Sequence, residues 1–365
     1  MIYKEILKKL NPKFIFRVGL GTFSCFISGE KAYALPIRAE IENGAGCNLK
    51  CEMCAINNMK RKKGFLSFEK FKLIYDQIKP PYLNLTGYTE SFLNKDIFKM
   101  IKYGKDNGSF IKLDSNATIL NDEIISNIVD SGADAISISV DGSTKKIYEN
   151  IRKGGKLEVV LENLKKLIDK KNEKNSDMKI FIAIVVQKNN LKDIIEIIKL
   201  LDKFGVDQIN PTPIVEYDIK EYEKFTLKNY IEDLKNIIDE ISSMKTKTKI
   251  DYESLKKYLK DYKENKLKYQ NEPCFAPWYN TYITWEGDVV PCCYHYDNQV
   301  KFGNVFEEKF KDIWNNSKYK EFRKNMIQKG RTSAICQTCR NKEEFLYNKF
   351  KIPLIKNISK RKYEK

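Results

Sequence analysis

From about residue 37 to 215 the chain alternates between two hydrophobic rhythms. Short β-rich runs occur at Ile37–Ile41, Tyr82–Leu85, Ile111–Leu113, Ala135–Val140, Ile180–Val186 and Gln208–Asn210. Between them apolar residues recur at helical spacing, as in Leu157, Val160, Leu161, Leu164 and Leu167, and again in Leu191, Ile194, Ile195, Ile198 and Leu201. Asn/Asp clusters and glycines mark the joints. Six strands, each followed by a helix, predict a parallel sheet with helices on its outer face. A closed barrel of this kind has eight such units. Six predict an α/β fold of open, partial (β/α)6 TIM type.

Outside that stretch the pattern changes. Residues 1–36 form an N-terminal extension; within it Phe14–Ile27 is apolar but carries Arg17 and Cys25. It reads as a packed or surface-covering segment, with membrane contact as the lesser alternative. Residues 216–272 are rich in Lys and Glu, with Ile231, Leu234, Ile237, Ile238 and Ile241 at helical spacing, and read as a helical connector. Residues 273–347 have a new composition and read as a small second domain. Residues 348–365 are a basic tail expected to fray.

Composition narrows the function. The apolar fraction of 42% excludes a disordered chain. Lys and Arg outnumber Asp and Glu by 66 to 49, giving +17. Such a surface suits nucleic acid, anionic lipid or phosphorylated ligands. Yet only eight of the 66 basic residues are Arg, and nucleic-acid sites lean on Arg for bidentate contacts. A solvated Lys-rich surface is the preferred reading. No signal pattern and no membrane-length apolar run is present, so a cytoplasmic location is expected. Nine cysteines in that setting imply metal or redox chemistry rather than structural disulfides.

The cysteines form two groups, with Cys25 alone and read as a buried apolar residue. The first group is Cys47-x3-Cys51-x2-Cys54, just after the first strand. Thiolates hold iron–sulfur clusters. Three of them leave one corner of a four-iron cube open to a small molecule. Zinc or a plain electron-transfer cluster is the alternative, although a structural zinc site needs a fourth ligand and the only histidine is His295. The triplet worded Cys-Asn-Leu-Lys-Cys-Glu-Met-Cys resembles the radical S-adenosylmethionine (SAM) superfamily. In that superfamily the open iron binds SAM, and reductive cleavage yields a 5′-deoxyadenosyl radical that removes a substrate hydrogen. A small reductant such as flavodoxin or ferredoxin is then implied.

Further segments extend the resemblance over about residues 37–345. The backbone of Met53, before the last cysteine of the triplet, is implied to face adenine. Asn84–Glu90 resembles the Gly-Gly-Glu-Pro stretch that meets the SAM amino group. Gly87 and Glu90 remain, while Thr89 and Ser91 stand where Gly and Pro are usual. Ser115-Asn116-Ala117 resembles Thr-Asn-Gly, with Asn116 lining the SAM pocket. Ser139 and Arg152 match positions that contact SAM's ribose or carboxylate. The alternatives are a surface acid for Glu90 and a helix cap for Asp141.

The second group is Cys274, Cys292, Cys293, Cys336 and Cys339. Its order resembles the SPASM domain in the shortened Twitch form, which implies one auxiliary [4Fe–4S] cluster on Cys274, Cys292, Cys336 and Cys339. A zinc ribbon is the alternative. Trp285–Tyr294 reads as the start of a β-hairpin. Cys293 is read as a packing residue and His295 as structural. Three functions follow. A radical SAM oxidase or dehydrogenase of a sugar-like or other small molecule leads. A peptide-modifying maturase is the rival, disfavoured because only about 36 residues precede the first strand. RNA modification ranks last.

Overall fold

The computed structural model describes residues 12–27, 29–215, 220–264 and 274–339. The Cys25 side chain and the tail from 348 to 365 lie outside the described part. The elements in chain order are α1 (Pro12–Ile27), β1 (Arg38–Gly46), β2 (Gly64–Phe65), α2 (Phe68–Ile78), β3 (Tyr82–Thr89), α3 (Ile97–Asp106), β4 (Phe110–Ser115), α4 (Asp122–Asp130), β5 (Ala135–Ser139), α5 (Lys145–Ile151), α6 (Leu157–Glu173), β6 (Lys179–Val186), α7 (Ile194–Asp202) and β7 (Gln208–Pro213). They continue as α8 (Ile231–Ser243), β8 (Lys249–Ile250), α9 (Glu253–Lys263), β9 (Asn280–Ile283), β10 (Asp288–Val290), β11 (Gly303–Asn304), α10 (Phe310–Trp314), α11 (Ser317–Gln328) and α12 (Ala334–Thr338).

One sheet runs through the molecule in the order β11-β10-β9-β1-β3-β4-β5-β6-β7-β8, with β2 paired to β1. The six expected strands are β1 and β3 to β7, adjacent and parallel, with pairs such as Leu85↔Leu113 and Ile136↔Ile180. Among the described residues the sheet is open, as the six-unit pattern predicts. It continues past the predicted strands at both edges. Strand β9 lies parallel to β1, and the two-residue β8 lies parallel to β7.

Strand β6 is a nearly continuous apolar run, while β1, β3, β4 and β7 interleave polar residues with buried apolar ones. Each helix offers one apolar stripe, such as Phe71, Ile74, Tyr75 and Ile78 on α2 or Val160, Leu164 and Leu167 on α6, all buried. Side-chain caps fix several helix starts: Ser67, Asn121, Thr144 and Asn316 each accept a backbone N–H of the first turn. Thr144 caps α5, so the helix-cap alternative for Asp141 fails.

Four strands run further than their apolar stretches, to Gly46, Thr89, Ser115 and Pro213. Parallel neighbours supply the pairing that local propensity lacks. Pro211 and Pro213 fit in β7 because β8 pairs only with Gln208 and Ile209, so no ladder partner needs their missing N–H groups.

The apolar segment near the start is α1, held down by Arg17. Its guanidinium donates to the carbonyls of Leu35, Pro36, Ile78 and Lys79 at 2.5–3.1 Å. Two of those carbonyls end α2, where a cation is favoured. No described helix is long and apolar enough to cross a membrane.

A second buried arginine anchors the C-terminal segment. Arg323 on α11 donates to Pro277 O at 2.9 Å and Trp314 O at 2.8 Å, and it stacks on Trp314 and Tyr319 at 4.4 and 4.1 Å. We expect Arg323→Met to destabilise the protein by about 2–4 kcal/mol, because the two carbonyls lose their donors. Denaturant unfolding checks this, and a midpoint equal to wild type contradicts it.

Candidate functional site

Parallel strands end together, and their connecting loops meet beyond the carboxyl edge. The loop after β1 carries Cys47, Cys51 and Cys54. It curls tightly: Leu49 N donates to Cys47 Sγ at 3.4 Å, and Cys54 N donates to Cys51 O at 3.0 Å. Outside, Lys50 N bonds Lys153 O at 2.9 Å, and Glu52 pairs with Lys153 and Lys224. The three sulfurs sense one another's charge. Burial pushes all three thiols up, Cys54 to about 11. Thiols of this kind bind as thiolates only when a metal takes the proton's place.

The ends of β3, β4 and β5 converge on this loop. Glu90 is buried, which overturns the surface-acid alternative. Its Oε1 accepts from Ser115 Oγ at 2.8 Å and Phe92 N at 3.4 Å, and its Oε2 accepts from Asn116 N at 2.6 Å. A carboxylate has about four acceptor positions, so about one is left. Asn116 Nδ2 lies 3.6 Å from Cys47 Sγ and 3.0 Å from Asn48 Oδ1. Ala117 adopts the left-handed region with φ +59°, at the position of the Gly in Thr-Asn-Gly.

Gly87 has φ +150°, and a Cβ there would meet Gly44 O at 2.5 Å and Glu42 Cγ at 2.6 Å. Thr89 uses the space a side chain gains over Gly: its hydroxyl donates to Gly46 O at 2.5 Å, joining β3 to the cysteine loop. Ser139 is half-buried at the end of β5. Arg152 donates through Nε to Asp141 Oδ2 at 2.6 Å and also faces Cys51, while Asp141 Oδ1 accepts from Val185 N at 2.7 Å. Met53 packs against Ile214, Tyr222 and Phe225, and its carbonyl accepts from the Tyr222 hydroxyl at 3.1 Å. The strand-end candidates therefore gather around one cysteine loop. Sequence reasoning missed Asp141 as the partner of Arg152, and it missed Tyr222.

The second cysteine group forms a separate recess, partly open to solvent. Cys274, Cys292, Cys336 and Cys339 all line it, with Pro277, Phe322, Met326 and Arg331; Cys293 does not. Burial pushes the Cys336 thiol up to about 12 and the Cys292 thiol well above its ordinary value. Arg331 donates to the carbonyls of Cys336 and Cys339. His295 is fully buried with Nε2 3.7 Å from Cys336 Sγ, and desolvation lowers it to about 4, so the ring is neutral. Among the described residues, no three His, Cys, Asp or Glu side chains close around a point as one metal ion requires. A four-iron cube takes its ligands at separate corners of a larger body, and four thiols lining one apolar recess suit it.

Comparison with known proteins agrees with this arrangement. Residues 41–211 match the radical SAM superfamily, and residues 274–340 match SPASM, an iron–sulfur cluster-binding domain. The chain belongs to the radical SAM superfamily. It is an enzyme, and its cofactors are SAM and [4Fe–4S] clusters. This radical SAM enzyme is 26% identical over 323 residues to the tungsten-containing aldehyde ferredoxin oxidoreductase cofactor-modifying protein of Pyrococcus furiosus, covering 82% of this chain and 86% of that protein. It is 24% identical over 329 residues to the AdoMet-dependent heme synthase of Methanosarcina barkeri, covering 81% and 88%. Streptococcus suis SuiB bound to its precursor peptide SuiA shares the fold, with a TM-score of 0.64 at 16% identity over 86% of this chain and 73% of SuiB.

In this radical SAM enzyme the two cysteine loops are fixed to each other. The Tyr88 hydroxyl donates to Cys293 O at 2.6 Å, and its ring lies 5.8 Å from that of Tyr296. Arg61, downstream of Cys54, donates to Tyr296 O at 2.6 Å and pairs with Glu42. Asp297 accepts from Lys60 N and Arg61 N at 2.8 and 2.9 Å. Glu42 also accepts from Tyr282 Oη at 3.0 Å and Trp285 N at 3.1 Å.

Burial pushes the Glu90 carboxyl up to about 7 from an ordinary 4.5. A raised folded-state value contributes stability that is full below the unfolded value and is lost as pH rises through the folded one. Wild-type cluster-free protein should therefore lose up to about 3 kcal/mol relative to Glu90→Gln between pH 4.5 and pH 8. Urea unfolding of both proteins across that range reads the difference; parallel curves contradict it.

Proposed function

We propose that Cys47, Cys51 and Cys54 hold the SAM-binding [4Fe–4S] cluster, that Cys274, Cys292, Cys336 and Cys339 hold one auxiliary [4Fe–4S] cluster, and that the enzyme oxidises a small-molecule substrate. When bound, these groups supply a 5′-deoxyadenosyl radical that removes a substrate hydrogen atom and a one-electron acceptor for the radical left behind. The single observation that carries this reading is the closed set of four cysteines around one recess. Its ligands leave no corner for substrate, so electron transfer is the role left.

The chain's own residues would then bind and orient. Arg152, its fork aligned by buried Asp141, suits the SAM carboxylate. The remaining acceptor position on Glu90 suits an ammonium group. Asn116, Gly87, Thr89 and Ser139 line the same edge, and Met53 presents its backbone there. Gly87 keeps β3 close enough to β1 for the pocket to form.

One observation favours a small-molecule substrate, sugar-like or cofactor-like. Two relatives aligned over more than four-fifths of this chain are named for modifying a cofactor and for making heme, while a third, from Bacillus subtilis, is named for biosynthesis of the antilisterial bacteriocin subtilosin. A peptide is the competing reading, since SuiB holds its precursor peptide on this fold. A net charge of +17 suits docking of an acidic reductant such as flavodoxin or ferredoxin, in a cytoplasmic setting.

Anaerobic reconstitution tests the assignment. Wild type should carry about eight irons and Cys336→Ala about four. With SAM and dithionite, wild type should yield 5′-deoxyadenosine and Cys51→Ala none. Wild-type iron content in the Cys336→Ala protein, or 5′-deoxyadenosine from Cys51→Ala, contradicts the ligand sets.

A further inference from the structure

His295 is the chain's one histidine and is fully buried. The turn after Cys292 fixes it: His295 N donates to Cys292 O at 3.1 Å, and Asn298 N donates to His295 O at 3.0 Å. Its imidazole reaches across 41 residues of sequence to Cys336, with Nε2 3.7 Å from Sγ. Its other nitrogen, Nδ1, is buried without a hydrogen-bond partner among the described residues. A buried polar atom left unpaired is costly, so the ring's placement needs a reason on its Nε2 side.

A neutral imidazole carries one N–H, and the opposite nitrogen is a bare acceptor. A cysteine bound to iron carries no proton and can only accept. With Cys336 as a ligand, the proton belongs on Nε2, where an acceptor exists, and not on Nδ1, where none does. An N–H aimed at a ligand sulfur stabilises the more negative, reduced form of a cluster and so raises its potential. Arg331 lies on the same ligand loop, but its Nη1 is spent on the Cys336 and Cys339 carbonyls, which shapes the loop.

We propose that His295 donates a hydrogen bond from Nε2 to the Cys336 sulfur and thereby sets the auxiliary cluster at a higher reduction potential; this rests on the reading that Cys336 is one of that cluster's ligands. His295 is thus a positioning residue for electron transfer, acting through a ligand and not on substrate. The neighbouring Cys293 stays out of the recess, and its carbonyl holds Tyr88. The turn from Cys292 to His295 therefore touches β3 on one side and Cys336 on the other.

The test is a redox titration of the full-length, anaerobically reconstituted protein, following the paramagnetic reduced clusters by EPR, with iron counted first. His295→Leu removes the donor; His295→Gln keeps an N–H of similar reach. We expect wild-type iron content in both variants. The auxiliary midpoint should move to more negative potential in His295→Leu and stay near wild type in His295→Gln, with the SAM-binding cluster unmoved. An unchanged midpoint in His295→Leu overturns the proposal, as does an equal shift in both variants. Loss of about half the iron in both variants also overturns it, by showing that the ring only supports the fold. A wild type that lacks the second cluster overturns the ligand assignment, and this inference with it, at the iron count.

Discussion

One buried carboxylate ties the molecule's two cysteine loops together. Glu42 sits inside β1 with no exposed surface, and its oxygens accept from Arg61, Tyr282 and Trp285 N. Arg61 comes from the loop that leaves Cys54; Tyr282 and Trp285 flank the turn that leads to Cys292. A charge so buried is tolerated only when paired and fully bonded. Removing one partner of such a pair leaves the other stranded, at a cost of about 3–5 kcal/mol. The geometry between the loops is therefore fixed by a group that cannot relax cheaply. Gly87 belongs to the same constraint, because a side chain there would strike the Glu42 methylene.

The sheet explains why this works. Strand β1 is central, pairing with β3 on one side and β9 on the other. Its end delivers Cys47, and its middle delivers Glu42. The neighbours on one side deliver Glu90, Asn116 and Arg152, while β9 and β10 on the other side lead to Cys292. Two cysteine groups thus meet on one sheet, Cys47 at the carboxyl end of β1 and Cys292 after β10, which runs antiparallel back along β9. Arginine marks the joints. In a chain whose default cation is Lys, Arg17, Arg61, Arg152, Arg323 and Arg331 each hold carbonyls or a buried acid that a forked donor fits and a point charge does not.

Much of this was legible in the sequence because it rests on strong local signals. Six apolar runs named the six parallel strands, and cysteine spacing named both groups. What escaped was long-range. The two residues of β8 carry no pattern, and β9 joins β1 across some 240 residues of sequence. Asp141 looked like a cap because it precedes a helix, yet Thr144 does that work and Asp141 holds Arg152. Thr89, a departure from the usual Gly, proved to be a hydrogen-bond donor to the cysteine loop. One signal went unused: Glu42 is an acid directly after the apolar run Ile37–Ile41, and an acid that continues such a strand into the interior needs a partner.

The central claim is that one cysteine set leaves an open corner and the other is closed. Mössbauer spectroscopy of iron-enriched, reconstituted protein, with and without SAM, tests it most directly. The expected spectrum shows two four-iron clusters, with SAM perturbing a single iron site of one cluster and leaving the other cluster's spectrum unchanged. A spectrum in which SAM alters both clusters, or neither, contradicts it.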